Sequence, residues 1–317
     1  MVVGAALGSF GLSWAWPSGA GSAVTPACPE LGSRIDGTGQ RDNLRGTDGA
    51  DVIRAGDGDD RIIAFGGDDC VLAGDGNDEV ASGTGNNTAF GEDGADRMTG
   101  EGDADTLDGG SGPDRLVSAG GNDSLTGGAG PDELTAGDGA DTVEGNAGND
   151  RFAGGAGNDR MSGARGRDRL SGDSGDDNMS GGGEADSLFG MAGTDVLLGA
   201  GGPDVLTGAV GGDVLNGGAA DDSIGGDSGD DRLLGGGEND RIDGGAGRDE
   251  LDGDRGADSL KGGSGRDDLD GGGGPDFLGT VDGSADRVAC GPGRDTAIVD
   301  ANDRVAAGCE LVRVLPG

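Results

Sequence analysis

The chain has 317 residues, of which 78 are Gly, 61 are Asp or Glu and 22 are Lys or Arg, giving a net charge of −39 with no His and no Tyr. Hydrophobic residues at 32% and aromatics at 3% cannot build the large core of an ordinary globular domain of this length. The charge makes nucleic acid and anionic membrane surfaces poor partners, and the absence of His removes the usual acid–base side chain and the commonest zinc ligand.

Residues 1–23 carry no charge, and Val2 to Trp16 is largely apolar. The small residues Ser18-Gly19-Ala20-Gly21-Ser22-Ala23 follow, which predicts a signal peptide cut after Ala20 or Ala23. The usual basic start is missing, since the first basic residue is Arg34. The stretch is too short and Gly-rich for a convincing membrane span. A short N-terminal cap, 24–36, is expected next. The cysteines form two groups, Cys28 with Cys70 and Cys290 with Cys309. Four Cys allow three pairings, and pairing within each end is favoured because each bridge clamps a terminus that otherwise frays. The plainer reading is four buried thiols; oxidised pairs would suit a secreted protein. The CxxC spacing of Cys-based metal sites is absent.

One period then runs through the chain. From Leu44 to Leu278 an apolar residue recurs every nine positions, 27 in all, with Ala89 the weakest. Asp stands two residues before each, from Asp42 to Asp276, with Asn87 the one exception. Gly stands four residues before each except at Gln40, Asp103, Glu184, Ala220 and Glu238. Composition alone reads as disordered, but disorder does not keep register over 27 repeats. The unit is G-G-x-G-x-D-x-U-x, with U apolar, as in Gly154 to Ser162. Its last three residues predict a minimal strand with U inward. Its first six predict a turn where Gly supplies positive φ. Nine residues cannot close a coil, so two units make one, and the chain stacks on itself 18 residues on, ~4.8 Å higher. The expected fold is all-β: a right-handed parallel β-roll of about thirteen coils over 37–279. Asp286, Asp295 and Asp303 then begin irregularly spaced D-x-U cores, which predicts a degraded-repeat cap over 280–317. Beyond Val305 the core does not recur, and Leu311 to Leu315 could add one last strand.

The nonapeptide resembles the calcium-binding repeats of the RTX (repeats-in-toxin) family over residues 37–279. In that family each turn is half a calcium site, and an ion sits between turns one coil apart. The resemblance therefore implies many calcium ions per chain, each held by Asp carboxylate and backbone carbonyl oxygens. The implied ligands in the first half are Asp51, Asp60, Asp69, Asp78, Asp96, Asp114, Asp123, Asp132, Asp141, Asp150 and Asp159. Those in the second half are Asp168, Asp177, Asp195, Asp204, Asp213, Asp231, Asp249, Asp258, Asp267 and Asp276. Weaker binding is expected at Asp42, Asp105, Asp186, Asp222 and Asp240, where another residue replaces the turn Gly. Glu184, Ala220 and Glu238 line one edge, where positive φ is costly for an L-residue. Calcium wants six to eight oxygens in flexible geometry, whereas magnesium demands a tighter octahedron. Asp as a mere turn former is the plainer reading, but one register through nearly every repeat needs another cause. Without calcium the stacked carboxylates repel, so metal-binding energy becomes folding energy.

Along one face the residue before U reads Arg61, Glu79, Arg97 and then Arg115, Glu133, Arg151, which predicts axial Arg–Glu–Arg ladders. That face also holds Arg45, Arg169, Arg241 and Lys261. It reads as a basic stripe for an acidic extracellular polysaccharide or cell surface, or as a solvated strand face that blocks aggregation. The functional expectation is a secreted, calcium-binding structural or adhesive protein that folds on calcium binding. The alternatives are the non-catalytic repeat region of a secreted hydrolase or epimerase, and an ice-binding solenoid, which would need flat Thr ranks. No Ser/His or metal–His constellation argues for an enzyme, and the carboxylates are repeated rather than differentiated.

Overall fold

The computed structural model describes residue 28 and residues 32–306 and 308–316; the expected signal peptide lies outside them. The strands alternate between two 16-stranded parallel sheets. One sheet runs from Ser33–Asp36 to Arg304–Val305, the other from Asn43–Arg45 to Leu311–Val314. A representative strand, Arg160–Arg165, pairs with Thr142–Ala147 below and Asn178–Gly183 above, so Met161 faces Val143 and Met179. Among the described residues no strand pairs with the next in the chain; each pairs one coil later. This is the parallel β-roll expected from the period.

The strands are longer than expected. Through the middle of the roll they cover six residues rather than three, continuing through the paired glycines. In Arg160–Arg165 both Met161 and Gly163 are buried, so each repeat sends two residues inward, the apolar one and the first Gly. The turn is correspondingly short. Inside, the apolar positions from Ile53 to Leu278 form one continuous stack, and where the first Gly is replaced, Ala55, Ala64, Ala73 and Ala136 fill the same layer. Slim aliphatic layers on a repeated ladder replace a wide core.

The coil count also differs. About thirteen coils were expected, whereas each sheet holds 16 strands, because the ladder extends at both ends. At the start, Ser33–Asp36 pairs with Asp51–Arg54 and places Ile35 opposite Ile53. At the end, Arg287–Ala289, Thr296–Val299, Arg304–Val305 and Leu311–Val314 continue both sheets. Val312 pairs with Ala297, so Glu310-Leu311-Val312 supplies a further core with Glu in place of Asp. That core falls outside the nine-residue period because its coil is only 15 residues long. The longer Glu side chain spans the irregular step.

The outward ion pairs are single rungs rather than ladders. Arg61 pairs with Glu79 at 3.6 Å, and Arg115 pairs with Glu133. No ion pair joins Glu79 to Arg97 or Glu133 to Arg151 among the described residues. A carboxylate bound by one guanidinium leaves the next Arg free to extend into water, and such exposed pairs contribute about 0–1 kcal/mol.

Both end-local disulfides are present, Cys28–Cys70 and Cys290–Cys309, with Cα separations of 5.6 and 5.2 Å. Cys290 is fully buried, in the inward position usually held by the first Gly. The second bridge closes a 19-residue separation, a loop worth roughly 3 kcal/mol in the chain-entropy model. Replacing Cys290 and Cys309 together by Ser is expected to speed amide exchange over 287–314 while leaving 105–260 unchanged. Uniform exchange across the roll would refute this local clamp.

Candidate metal centre

The repeated Asp side chains point inward at the turn and are almost sealed: Asp141, Asp159 and Asp177 are each 2% exposed. One carboxylate oxygen has a structural task. Asp159 Oδ1 accepts the backbone N–H of Asp141 at 2.9 Å, and Asp177 Oδ1 accepts that of Asp159 at 2.8 Å. The same bond recurs from the Asp42–Asp60 pair, at 2.7 Å, to the Asp276–Asp295 pair, at 2.9 Å. It ends where Asp303 accepts from Asp286 and Glu310 accepts from Asp295. The turn Asp is therefore a rung joining coils, a role the spacing alone did not reveal. Asn and Asp one residue earlier form a second, outer row, as when Asn158 Oδ1 accepts the Asp176 N–H at 3.0 Å.

The other oxygen is left over. Oδ2 of every repeat Asp from Asp60 to Asp276, and of Asp286 and Asp295, is buried without a hydrogen-bond partner. Burying an acceptor this way costs ~1–3 kcal/mol, and more for a charged one. The set includes Asp105, Asp186, Asp222 and Asp240, so the expected weaker positions share the geometry of the rest. Asp42 and Asp51 differ. Their Oδ2 atoms accept from the N–H and Oγ1 of Thr38 and Thr47, and the unpartnered atom of Asp51 is Oδ1.

The unpartnered oxygen faces a small cradle. A Cβ built on Gly154 would collide with Asp159 Oδ2 and approach the Gly172 carbonyl oxygen at 2.9 Å. Gly163, Gly190 and Gly235 show the same arrangement with Asp168, Asp195 and Asp240. The first Gly of these repeats thus serves by leaving space rather than by its backbone conformation. The second Gly and the turn Gly do adopt positive φ. Glu184, Ala220 and Glu238 hold that conformation at 74°, 95° and 75°, as expected, whereas Gln40 and Asp103 do not. The second-Gly position is masked in the sequence because Phe65, Glu92, Met191 and others occupy it, with φ near 77°, 75° and 78°. Each such L-residue costs about 1–2 kcal/mol.

Asn87 shows what the cradle wants. Its Oδ1 accepts the Asp69 N–H at 3.0 Å, which fixes the amide orientation, and its Nδ2 donates to the carbonyls of Gly83 and Gly85 at 3.1 and 2.9 Å. In this one turn a donor sits where the other turns place a carboxylate oxygen. Elsewhere the same side-chain position holds an anionic oxygen without a donor, an arrangement that calls for positive charge. No three His, Cys, Asp or Glu side chains converge among the described residues, so main-chain oxygens must complete any site. One carboxylate oxygen with several carbonyls is a hard, all-oxygen donor set of the kind calcium takes.

Burial dominates the electrostatics. It pushes the carboxyls of Asp96, Asp114 and Asp177 up to about 7, and those of Asp159 and Asp168 up to about 6. The N–H bond from the preceding coil pulls each back down, and neighbouring carboxylates push it up again. A carboxylate that ionises with difficulty alone ionises readily against a cation.

Residues 36–278 match the family model of the RTX calcium-binding nonapeptide repeat in overlapping windows, from 36–64 and 45–80 to 225–260 and 243–278. No curated protein matches the chain. Among solved structures it is similar to a hyperactive, Ca2+-dependent, β-helical antifreeze protein from an Antarctic bacterium. That likeness has 18% identity over 86% of this chain and 83% of the other, with a TM-score of 0.26, too low to carry an argument. The matched windows span most of the chain, and the chain belongs to the RTX calcium-binding nonapeptide repeat family.

Proposed function

We propose that this protein is a secreted structural module whose roll closes when calcium fills its turns. The observation that carries the reading is the row of buried carboxylate oxygens without hydrogen-bond partners, beside backbone carbonyls, in turn after turn. The ligands would be Oδ2 of the repeat Asp residues, from Asp96 to Asp276 in the regular part, with the carbonyls of the Gly-rich turns. Calcium would supply the positive charge that lets these oxygens share one buried space. The chain itself contributes the inter-coil Asp bonds, the Gly cradles and the aliphatic stack that set the oxygens in place. Two disulfides support an oxidising compartment outside the cell. A charge of −39 on so slim a core explains why the coupling to metal should be strong.

The test is a far-UV circular dichroism titration of the purified, disulfide-bonded chain. Most of the β signal is expected to develop with calcium, to vanish on adding EGTA, and to develop poorly with millimolar magnesium. A chain whose β signal and compactness are the same in EGTA and in calcium would overturn coupled folding.

A further inference from the structure

None of the first six turns combines an open first-Gly position with an unpartnered Asp Oδ2, the pair that marks most later turns. In the first two, Thr38 and Thr47 each donate twice to the Asp oxygen that elsewhere has no partner, at 2.6 and 2.8 Å to Asp42 and at 2.6 and 3.0 Å to Asp51. In the next three, Ala55, Ala64 and Ala73 replace the first Gly, each fully buried. By register their methyl groups take the inward first-Gly position, within the buried stack beside the turn. Asp60, Asp69 and Asp78 keep an unpartnered Oδ2 there, but the cradle beside it is occupied by carbon. In the sixth turn Ser82 takes the first-Gly position, fully buried, and the Asn87 amide bonds the turn carbonyls itself. From Gly91 to Gly271 the first position is Gly again except at Ser118 and Ala136.

Three further features gather at the same end. Ile53, Ile62, Val71 and Val80 make this part of the stack β-branched, before Leu and Met take over; branched side chains favour strands on their own account. The Cys28–Cys70 bridge ties the chain leading into the first strand to the third strand of that sheet. The inter-coil bond runs unbroken through the exception, since Asn87 accepts from Asp69 and donates its N–H to Asp105 Oδ1 at 2.9 Å.

We propose that the N-terminal coils, residues 33–89, hold together without calcium and present a preformed sheet end on which the calcium-dependent coils assemble. This rests on the reading that the later turns take calcium. Chain-borne donors and methyl groups fill the first turns, so removing the metal costs them little. The roll then needs no fresh nucleus when calcium arrives, because each new coil pairs with one already formed.

Hydrogen exchange followed by mass spectrometry on the full, disulfide-bonded chain tests this. In EGTA, amides of 51–89 are expected to exchange at least about tenfold slower than those of 141–260, and calcium should then protect 141–260. The variant combining Ala64→Gly, Ala73→Gly and Asn87→Asp should lose the protection of 51–89 in EGTA, regain it in calcium, and bind more calcium per chain by native mass spectrometry. Equal exchange of 51–89 and 141–260 in EGTA would overturn the proposal while leaving calcium-coupled folding intact. Protection of 141–260 in EGTA would instead overturn coupled folding. If reducing the disulfides alone abolishes the protection of 51–89, the bridge rather than the turns holds this end, and the proposal fails.

Discussion

At about pH 5 the calcium-free chain is expected to hold more β structure than at about pH 8. The cause is the row of buried carboxyls whose folded-state values lie above the ordinary 3.8, at about 6 for Asp159, Asp195 and Asp231 and about 7 for Asp132, Asp177 and Asp249. Desolvation is the main cause and favours the neutral form. A group raised in this way binds its proton more tightly folded than unfolded. Its stabilising contribution is complete below the unfolded value and is lost as pH rises through about 6 to 7. Protonated Asp also donates where the anion could only accept, so Oδ2 can then bond a turn carbonyl as Asn87 Nδ2 does. Calcium reverses the sign, because protons and the cation compete for one oxygen. The calcium-saturated chain should therefore lose thermal stability as pH falls below about 6. Melting curves at both pH values, with calcium and with EGTA, check the prediction. A calcium-free chain equally unfolded at both values would remove the buried carboxyls from the account.

Most of the architecture was legible because one physical constraint is repeated. Strand spacing is fixed, so 18 residues per coil had to recur wherever Leu44 and its successors keep step, and the structure pairs Leu44 with Ile62 accordingly. Legibility failed where the constraint was met by different chemistry. Ile35 continues the stack, but Ser33 stands where the Asp would be, so the first strand lay outside the motif. Glu310 takes the last rung after a coil of 15 residues, which no fixed-period search finds. The two-residue inward face was also hidden. A Gly has no side chain to reveal which way it points, and it is replacements such as Ala55, Ala64, Ala73 and Ala136 that betray the position as interior.

The candidate site divides in the same way. That Asp should be the ligand followed from its register, but the division of labour between its two oxygens did not. Two acceptors on one carbon leave identical traces in a sequence. The exception at Asn87 carried the missing information, because an amide offers one acceptor and one donor in place of two acceptors. It keeps the acceptor that the coil below requires and replaces the oxygen that a cation would require. What reads in the sequence as a defect is, in the structure, the turn whose needs are met internally.

Asp159→Ala and Asp159→Asn are expected to move stability in opposite directions once calcium is removed. The Ala variant strips the buried Asp141 N–H of its acceptor, a loss of ~1–3 kcal/mol before any metal is considered. It also deletes the unpartnered oxygen, so in calcium it loses both the rung and a ligand. The Asn variant keeps Oδ1 for Asp141. Its new Nδ2 lies on the side of Gly155 and Gly157, which correspond to Gly83 and Gly85 in the Asn87 turn. In EGTA, Asp159→Asn should therefore melt above wild type, since it exchanges a repelled acceptor for a bonded donor. In saturating calcium it should melt below wild type, having given up an anionic ligand. Asp159→Ala should melt below wild type in both buffers. The crossing for Asn and its absence for Ala separate the structural oxygen from the metal-facing one, because a purely structural Asp would give both variants losses of the same sign. If Asp159→Asn is destabilised in EGTA, the unpartnered oxygen faces something other than carbonyls, and the assignment of the cradle as a cation site falls with it.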